Sequence, residues 1–221
     1  MQDGDSRSEE ALAALCEGYW LPIYAYARRR GHSSEQAEDL TQGFFTKLLE
    51  KRYLDQADRK RGKFRTFLLS SFKHYMANEW DRSQALKRGG GQRFVSLDVE
   101  QAEGRFSAEP ADAVDPERLF ARQWARTLLD RVLDRLALEM ERSGNAERFE
   151  RLKIFLTGWA PAIPYSEVAA DLEMSEVAVK VAVNRMRGKF RDLLLDEVAQ
   201  TVESEEAVAE EIRFLIDALW G

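Results

Sequence analysis

Residues 165–195 read YSEVAADLEMSEVAVKVAVNRMRGKFRDLLL. Two helical periods flank Glu173 and Met174. Ser166 to Leu172 is a short helix, and Ser175 is a good N-cap, since its hydroxyl can accept an otherwise orphaned N–H of the next turn. From there a second helix is expected to about Leu195. Ala169 and Val179, ten apart, supply the small residue and the apolar residue that let two such helices pack closely. Val168, Leu172, Val179, Val183 and Met186 share the face expected to be buried. Glu176, Val177, Lys180, Ala182, Asn184 and Arg187 are left nearer solvent. Residues 175–191 hold Lys180, Arg185, Arg187, Lys189 and Arg191 against one acid, Glu176. This is a helix-turn-helix pattern. In such a motif early residues of the second helix meet base edges, and later cations hold phosphates. The turn position four after Ala169, where glycine is usual, is Glu173; a positive φ there costs roughly 1 kcal/mol. The plainer alternative is an amphipathic helix pair in a bundle with a solvated basic face.

Outward from this stretch the chain reads all-α. Alternating strand patterns are nearly absent, and the best candidate, Arg93 to Leu97, is too short to build a sheet. A first domain is expected over 9–92. In it, Ala11, Leu12, Leu15 and Tyr19 mark one helix, and Pro22 is expected to restart the chain. Gly31 is a C-cap candidate after Arg28, Arg29 and Arg30. Ser33 and Gln36 form a capping box for a helix to Glu50, and another helix runs from about Lys63 to Leu86. Residues 93–117 are expected to be an acidic linker. From 98 to 117 it carries seven acids against Arg105 alone, with Pro110 and Pro116, so it should be extended. A second domain over 118–196 begins with a long helix to Arg142 and ends with the helix-turn-helix. Residues 197–221 are an acidic amphipathic extension. It is expected either to cap the second domain or to act as an arm that binds a partner or shields the basic recognition helix.

A second concentration of cations lies upstream. Residues 51–93 carry twelve Lys and Arg and four acids, interleaved with Phe64, Phe67, Phe72, Tyr75 and Trp80. Cations with stacking rings are how proteins grip single-stranded nucleic acid. Phe64, Leu68, Phe72, Tyr75 and Met76 fall on one helical face, however, so most of these rings are expected in the core. The segment Arg59-Lys60-Arg61-Gly62-Lys63 is harder to explain structurally, because four cations in five residues repel one another unless a polyanion is near.

Composition sets the frame. The 221 residues are 44% hydrophobic and 33% charged, with a formal net charge of −6. A chain this acidic can bind nucleic acid only through local patches. The single cysteine, Cys16, excludes a disulfide framework and is expected to be a small core residue; two histidines, His32 and His74, offer no metal-ligand spacing. No phosphate-binding glycine loop or nucleophile motif is present, so no cofactor, metal or enzymatic activity is expected. With no apolar leader or membrane-length apolar run, a cytoplasmic location is expected.

In this order, the pieces resemble the extracytoplasmic-function class of bacterial RNA polymerase sigma factors of the sigma-70 family. The resemblance covers about 9–92 and 146–196. Ala37 to Phe45 is similar to the family's polymerase-binding motif, an acid-Leu-x-Gln-x-x-Phe pattern. Gly62 to Leu68 is similar to its Gly-x-Phe-Arg-x-Trp-Leu start of the promoter-melting helix. Tyr165–Ala169 and Ser175–Lys180, followed by Arg185-Met186-Arg187, resemble its upstream-reading helix-turn-helix. The resemblance implies that Asp39, Leu40, Gln42 and Phe45 contact core RNA polymerase, with an apolar anchor among polar groups. It implies that Arg59, Lys60, Arg61, Lys63, Arg65, Lys73, His74, Asn78 and Arg82 engage the minus-ten element of promoter DNA, holding a flipped base. Ser175, Glu176, Ala178, Lys180, Val181, Asn184, Arg185 and Arg187 would read the minus-thirty-five element as duplex. The acidic linker would lie in the polymerase channel that later holds RNA. An anti-sigma factor or a regulatory kinase is a further class of partner such a chain admits; Thr41 and Thr46 border the polymerase-binding stretch. Gly43 stands where the family commonly has Glu, and His74 and Asn78 stand where many members carry Asn and Asp.

Two other classes remain. A helix-turn-helix regulator acting without polymerase would need neither residues 35–50 nor 59–82. An all-α scaffold would have no use for cations gathered on two surfaces.

Overall fold

The computed structural model describes residues 18–50, 63–85, 98–107, 115–157 and 163–220. All regular structure among them is helical. Residues 18–29 are helical (α1). There follow α2 (Ser34–Glu50), α3 (Phe64–Ala85), α4 (Val99–Ser107), α5 (Pro116–Arg142), α6 (Ala146–Leu152), α7 (Ile154–Thr157), α8 (Tyr165–Asp171), α9 (Glu176–Ala199) and α10 (Glu205–Trp220). The chain divides into two compact units. One comprises residues up to Thr127 together with Thr201–Gly221, and the other comprises Leu128–Gln200.

In the first unit an aromatic cluster joins α1, α3 and α5. Tyr19 stacks on Trp124 with centroids 4.0 Å apart, and Phe64 meets both rings at 6.4 and 6.1 Å. Tyr19 and Trp124 are fully buried, which stabilises by about 4–6 kcal/mol each on area alone, an upper bound, while Phe64 is half-buried. A second cluster sets α2 on α3 through Phe44 and Phe72, 5.2 Å apart, with Tyr26 of α1 at 6.2 Å from Phe72. No break occurs at Pro22, because 18–29 is helical through it. Its missing N–H leaves only the carbonyl of residue 18 without a helical partner. The capping box forms as expected: Gln36 N donates to Ser33 Oγ at 3.2 Å, and Ser33 N to Gln36 Oε1 at 3.0 Å. Gly31 ends α1 with a φ of +94°.

Residues 99–107 differ from the extended linker that their charge suggests. They form α4, because Glu103 finds partners far away in sequence. Its carboxylate accepts from Arg28 Nε at 2.6 Å, Arg28 Nη2 at 3.0 Å and Tyr24 Oη at 2.6 Å. The Arg28 guanidinium also lies 4.9 Å from the Phe106 ring centroid. The arginine holds Glu103 below the usual carboxylate range, while burial and then the Glu103 carboxylate push the Tyr24 hydroxyl up to about 12.

Helix α10 also departs from expectation. Residues 201–221 belong with the first unit, where the sequence suggested a cap on the second domain or a screen over its recognition helix. Val202, Val208, Leu215 and Ala218 are buried, and Arg122 Nε donates to the Ala218 carbonyl at 3.3 Å.

The second unit packs α8 on α9, with α6 and α7 beside them. Val168, Val179, Val183 and Met186 are buried, as their periodicity predicts, and Ala169 is buried with them, whereas Leu172, expected on the same face, is only half-buried at the end of α8. The far end of α9 is fixed by Glu197, a buried carboxylate accepting from Arg131 at 2.7 Å and Arg135 at 3.1 Å.

The Glu103 cluster makes a pH-dependent prediction. A carboxyl whose folded pKa is depressed contributes stability above its unfolded pKa, and that contribution is lost as pH falls through the folded value. Glu103→Gln should cost about 1–2 kcal/mol at pH 7 in urea denaturation, and the gap to the native chain should close below about pH 4.

Candidate nucleic-acid interface

The first face is built on α2 and α3. On α2, Asp39 is exposed and Leu40 is half-buried. Gln42 donates to Glu38 Oε1 at 3.2 Å. Phe45 does not join them at the surface. It is 1% exposed and packs on Phe44, so the apolar anchor expected of it is a core residue that orients α2 from below. Thr41 is likewise buried, its hydroxyl donating to the Ala37 carbonyl at 2.6 Å, while Thr46 is half-buried. Gly43 has a steric cause: a Cβ there would collide with the Tyr75 hydroxyl of α3. A Glu at this position therefore cannot be accommodated without moving Tyr75. Lys47, one turn on, sits 4.6 Å from the Tyr75 ring centroid and pairs with Glu79 at 2.6 Å.

Along α3, His74 and Asn78 are exposed. Lys73 pairs with Glu117 and lies 5.9 Å from the Tyr26 ring centroid. It borders a cavity of about 450 Å³ with Tyr26, Arg30, His32 and Met76. Burial, with help from Arg30, pushes the His32 imidazole below its usual pKa. Lys63 and Arg65, at the start of α3, are both occupied by Glu211 of α10, at 3.3 and 2.9 Å. Arg59, Lys60 and Arg61, like Cys16, lie outside the described residues, and of Arg82 only the helical backbone is described.

The second face is α9. Ser175 caps it, its Oγ accepting from Ala178 N at 3.2 Å with an extended φ of −77° and ψ of 151°. Glu173 holds a φ of +51° in the turn, the left-handed conformation that its position demands. Glu176, Lys180, Val181, Asn184, Arg185 and Arg187 are exposed, and Ala178 is half-buried. Lys180 pairs with Glu176 at 3.7 Å and stands 5.7 Å from the Tyr165 ring. Val177 and Val181, one turn apart, are 71% and 46% exposed, so apolar groups interrupt the cations along this face.

Arg187 has a second role that its sequence position did not reveal. Its Nε and Nη2 donate to the Phe155 carbonyl at 3.2 and 3.1 Å, tying α9 to α7. The sequence also gave no hint of Arg148. It lies on α6 yet lines a cavity of about 560 Å³ with Arg185, Lys189, Val181 and Met174. Only its place in a helix packed beside the motif could have flagged it.

Among the described residues, no group of three or more His, Cys, Asp and Glu is arranged to hold a metal, and no helix is long and apolar enough to cross a membrane. Residues 17–85 match the family model of sigma-70 region 2. The matched segment is α1 to α3, which carries the first face. The match makes this stretch, about a third of the chain, similar to sigma-70 region 2. Searches of curated proteins and of solved structures returned no match to the chain.

The turn provides a stability test independent of function. Glu173→Gly should stabilise the chain by about 1 kcal/mol in urea denaturation, because glycine takes a positive φ without a Cβ clash. Glu173→Val should lose at least as much.

Proposed function

We propose that the chain is a sigma factor of the extracytoplasmic-function type, which binds core RNA polymerase and directs promoter recognition and melting. On this reading 9–92 is the region 2-like domain for polymerase and minus-ten DNA. Residues 118–196 form the region 4-like domain for the minus-thirty-five element, and 93–117 connects them. The observation that carries the reading is the pairing, in one chain, of a region 2 match over 17–85 with a capped, cation-bearing helix-turn-helix. A regulator that only reads duplex DNA has no use for the first.

The division of labour follows from chemistry. Asp39 and Leu40 offer a carboxylate beside an apolar surface on α2, suited to a helical polymerase element. On α3, His74 and Asn78 are free to approach bases, and the neighbouring cations neutralise the displaced strand. The exposed start of α9 fits a major groove. There Lys180 and Arg185 hold phosphates and fix register, while Val177 and Val181 present apolar surface to base edges.

The test uses purified core RNA polymerase, affinity capture and run-off transcription. Asp39→Ala should weaken polymerase capture about tenfold or more, a hot-spot loss of about 1.4 kcal/mol. Lys180→Ala with Arg185→Ala should leave capture intact and weaken duplex binding, lowering the salt-dependence slope by about one unit per lost phosphate contact. Arg187→Ala is a poor probe, since it also releases α7. Failure of the native chain to bind core polymerase removes the proposal in favour of the duplex-only regulator.

A further inference from the structure

We propose that α10 is an acidic cover over the cationic start of α3, and that it must lift away before that surface can take up single-stranded DNA. The proposal rests on the sigma-factor reading for the identity of the displaced ligand.

Three independent contacts converge on this spot. Glu211 is 1% exposed, although it is a carboxylate. Arg65 donates to both its oxygens, Nε to Oε1 at 2.9 Å and Nη2 to Oε2 at 3.3 Å, and Lys63 Nζ stands 3.3 Å from Oε2. One turn along α10, the Phe214 ring lies 3.7 Å from the Arg65 guanidinium carbon. The backbone closes the arrangement: the Phe64 N–H, at the first turn of α3, donates to the Thr201 carbonyl at 2.9 Å. Glu210 adds a second, mostly exposed carboxylate 3.8 Å from Lys63.

Each contact uses a group that would otherwise serve a nucleic acid. A guanidinium that grips a carboxylate through two N–H groups grips a phosphate through the same two. A ring stacked on that guanidinium takes the place a base would take. The N–H groups at the start of a 22-residue helix favour an anion, and here one is satisfied by a carbonyl. Helix α10 thus presents charge and ring, and the turn before it the acceptor, in place of phosphate, base and oxyanion. Both partners cannot hold Arg65 at once.

Apparent DNA affinity is then reduced by the fraction of molecules in which α10 is displaced. Weakening the cover raises affinity up to the limit set by that fraction, about tenfold if it opens one time in ten. Glu197 provides an internal control. It too is a buried carboxylate between two arginines, Arg131 and Arg135, but it belongs to the second unit.

The experiment measures anisotropy of a fluorescent, mixed-sequence single-stranded oligonucleotide. It uses the full chain, alone and with core polymerase, and circular dichroism to verify folding. Glu211→Gln and Phe214→Ala should each raise affinity about tenfold. Glu197→Gln should lower stability and leave affinity unchanged. Amide hydrogen exchange across 205–220 in the native chain should speed up when DNA binds, a readout that needs no variant. Folded variants that bind no better than the native chain, or α10 exchange that ignores DNA, overturn the cover while leaving the sigma-factor reading standing. Absence of DNA binding by every form, even with core polymerase, overturns that reading and the cover with it.

Discussion

The position of Phe64 governs the first unit. Its ring is fixed between Tyr19 of α1, Phe67 of its own helix and Trp124 of α5. Lys63 and Arg65 flank it in sequence, so packing this half-buried ring against its neighbours leaves both cations at the margin of the cluster and sets where their heads can reach. Trp124 in turn stacks on Tyr19 and touches Phe120 at 5.9 Å. Loosening this cluster would lose aromatic burial and scatter the charges that make the start of α3 attractive to an anion. A packing constraint therefore positions an electrostatic one, in a chain whose formal net charge is −6.

The acids of the chain acquire a physical meaning from this. Glu103 and Glu211 lie in segments that look like solvated acidic stretches by composition, yet each reaches a cationic group in the first unit. Glu197 does the same inside the second. An ion pair with a buried carboxylate, as at Glu211 and Glu197, or a partly buried one, as at Glu103, contributes little net stability over an apolar pair, because desolvation offsets much of the attraction, but it penalises any arrangement that leaves one charge alone. Such pairs specify where α4, α10 and the end of α9 lie more than they hold the fold together.

How much of this could be read in the sequence depended on the range of each interaction. Ser33 with Gln36, and Ser175 with Ala178, are contacts within one turn, and their residue types announce them. The helix-turn-helix was equally legible, since Ala169 and Val179 encode its packing locally. Helix α4 was not: it is nine residues long and acidic, and its stabilising partners lie 75 and 79 positions away. The contact of α10 with Arg65 spans 146 positions and leaves no local trace. Phe45 shows a third limit, because the motif resemblance implies a contact residue there, whereas the ring is buried and packs on Phe44. Gly43 is explained only by Tyr75, which a single helix cannot reveal.

On the proposed function, this chain brings core polymerase to a promoter and helps open it. Permanganate reactivity of thymines in a duplex promoter, selected from randomised DNA by the chain–polymerase complex, tests it most directly. Thymines near the transcription start should become reactive only when the chain and core polymerase are both present. If the complex forms on the duplex and every thymine stays as protected as in free DNA, the chain does not melt promoters and the assignment is wrong.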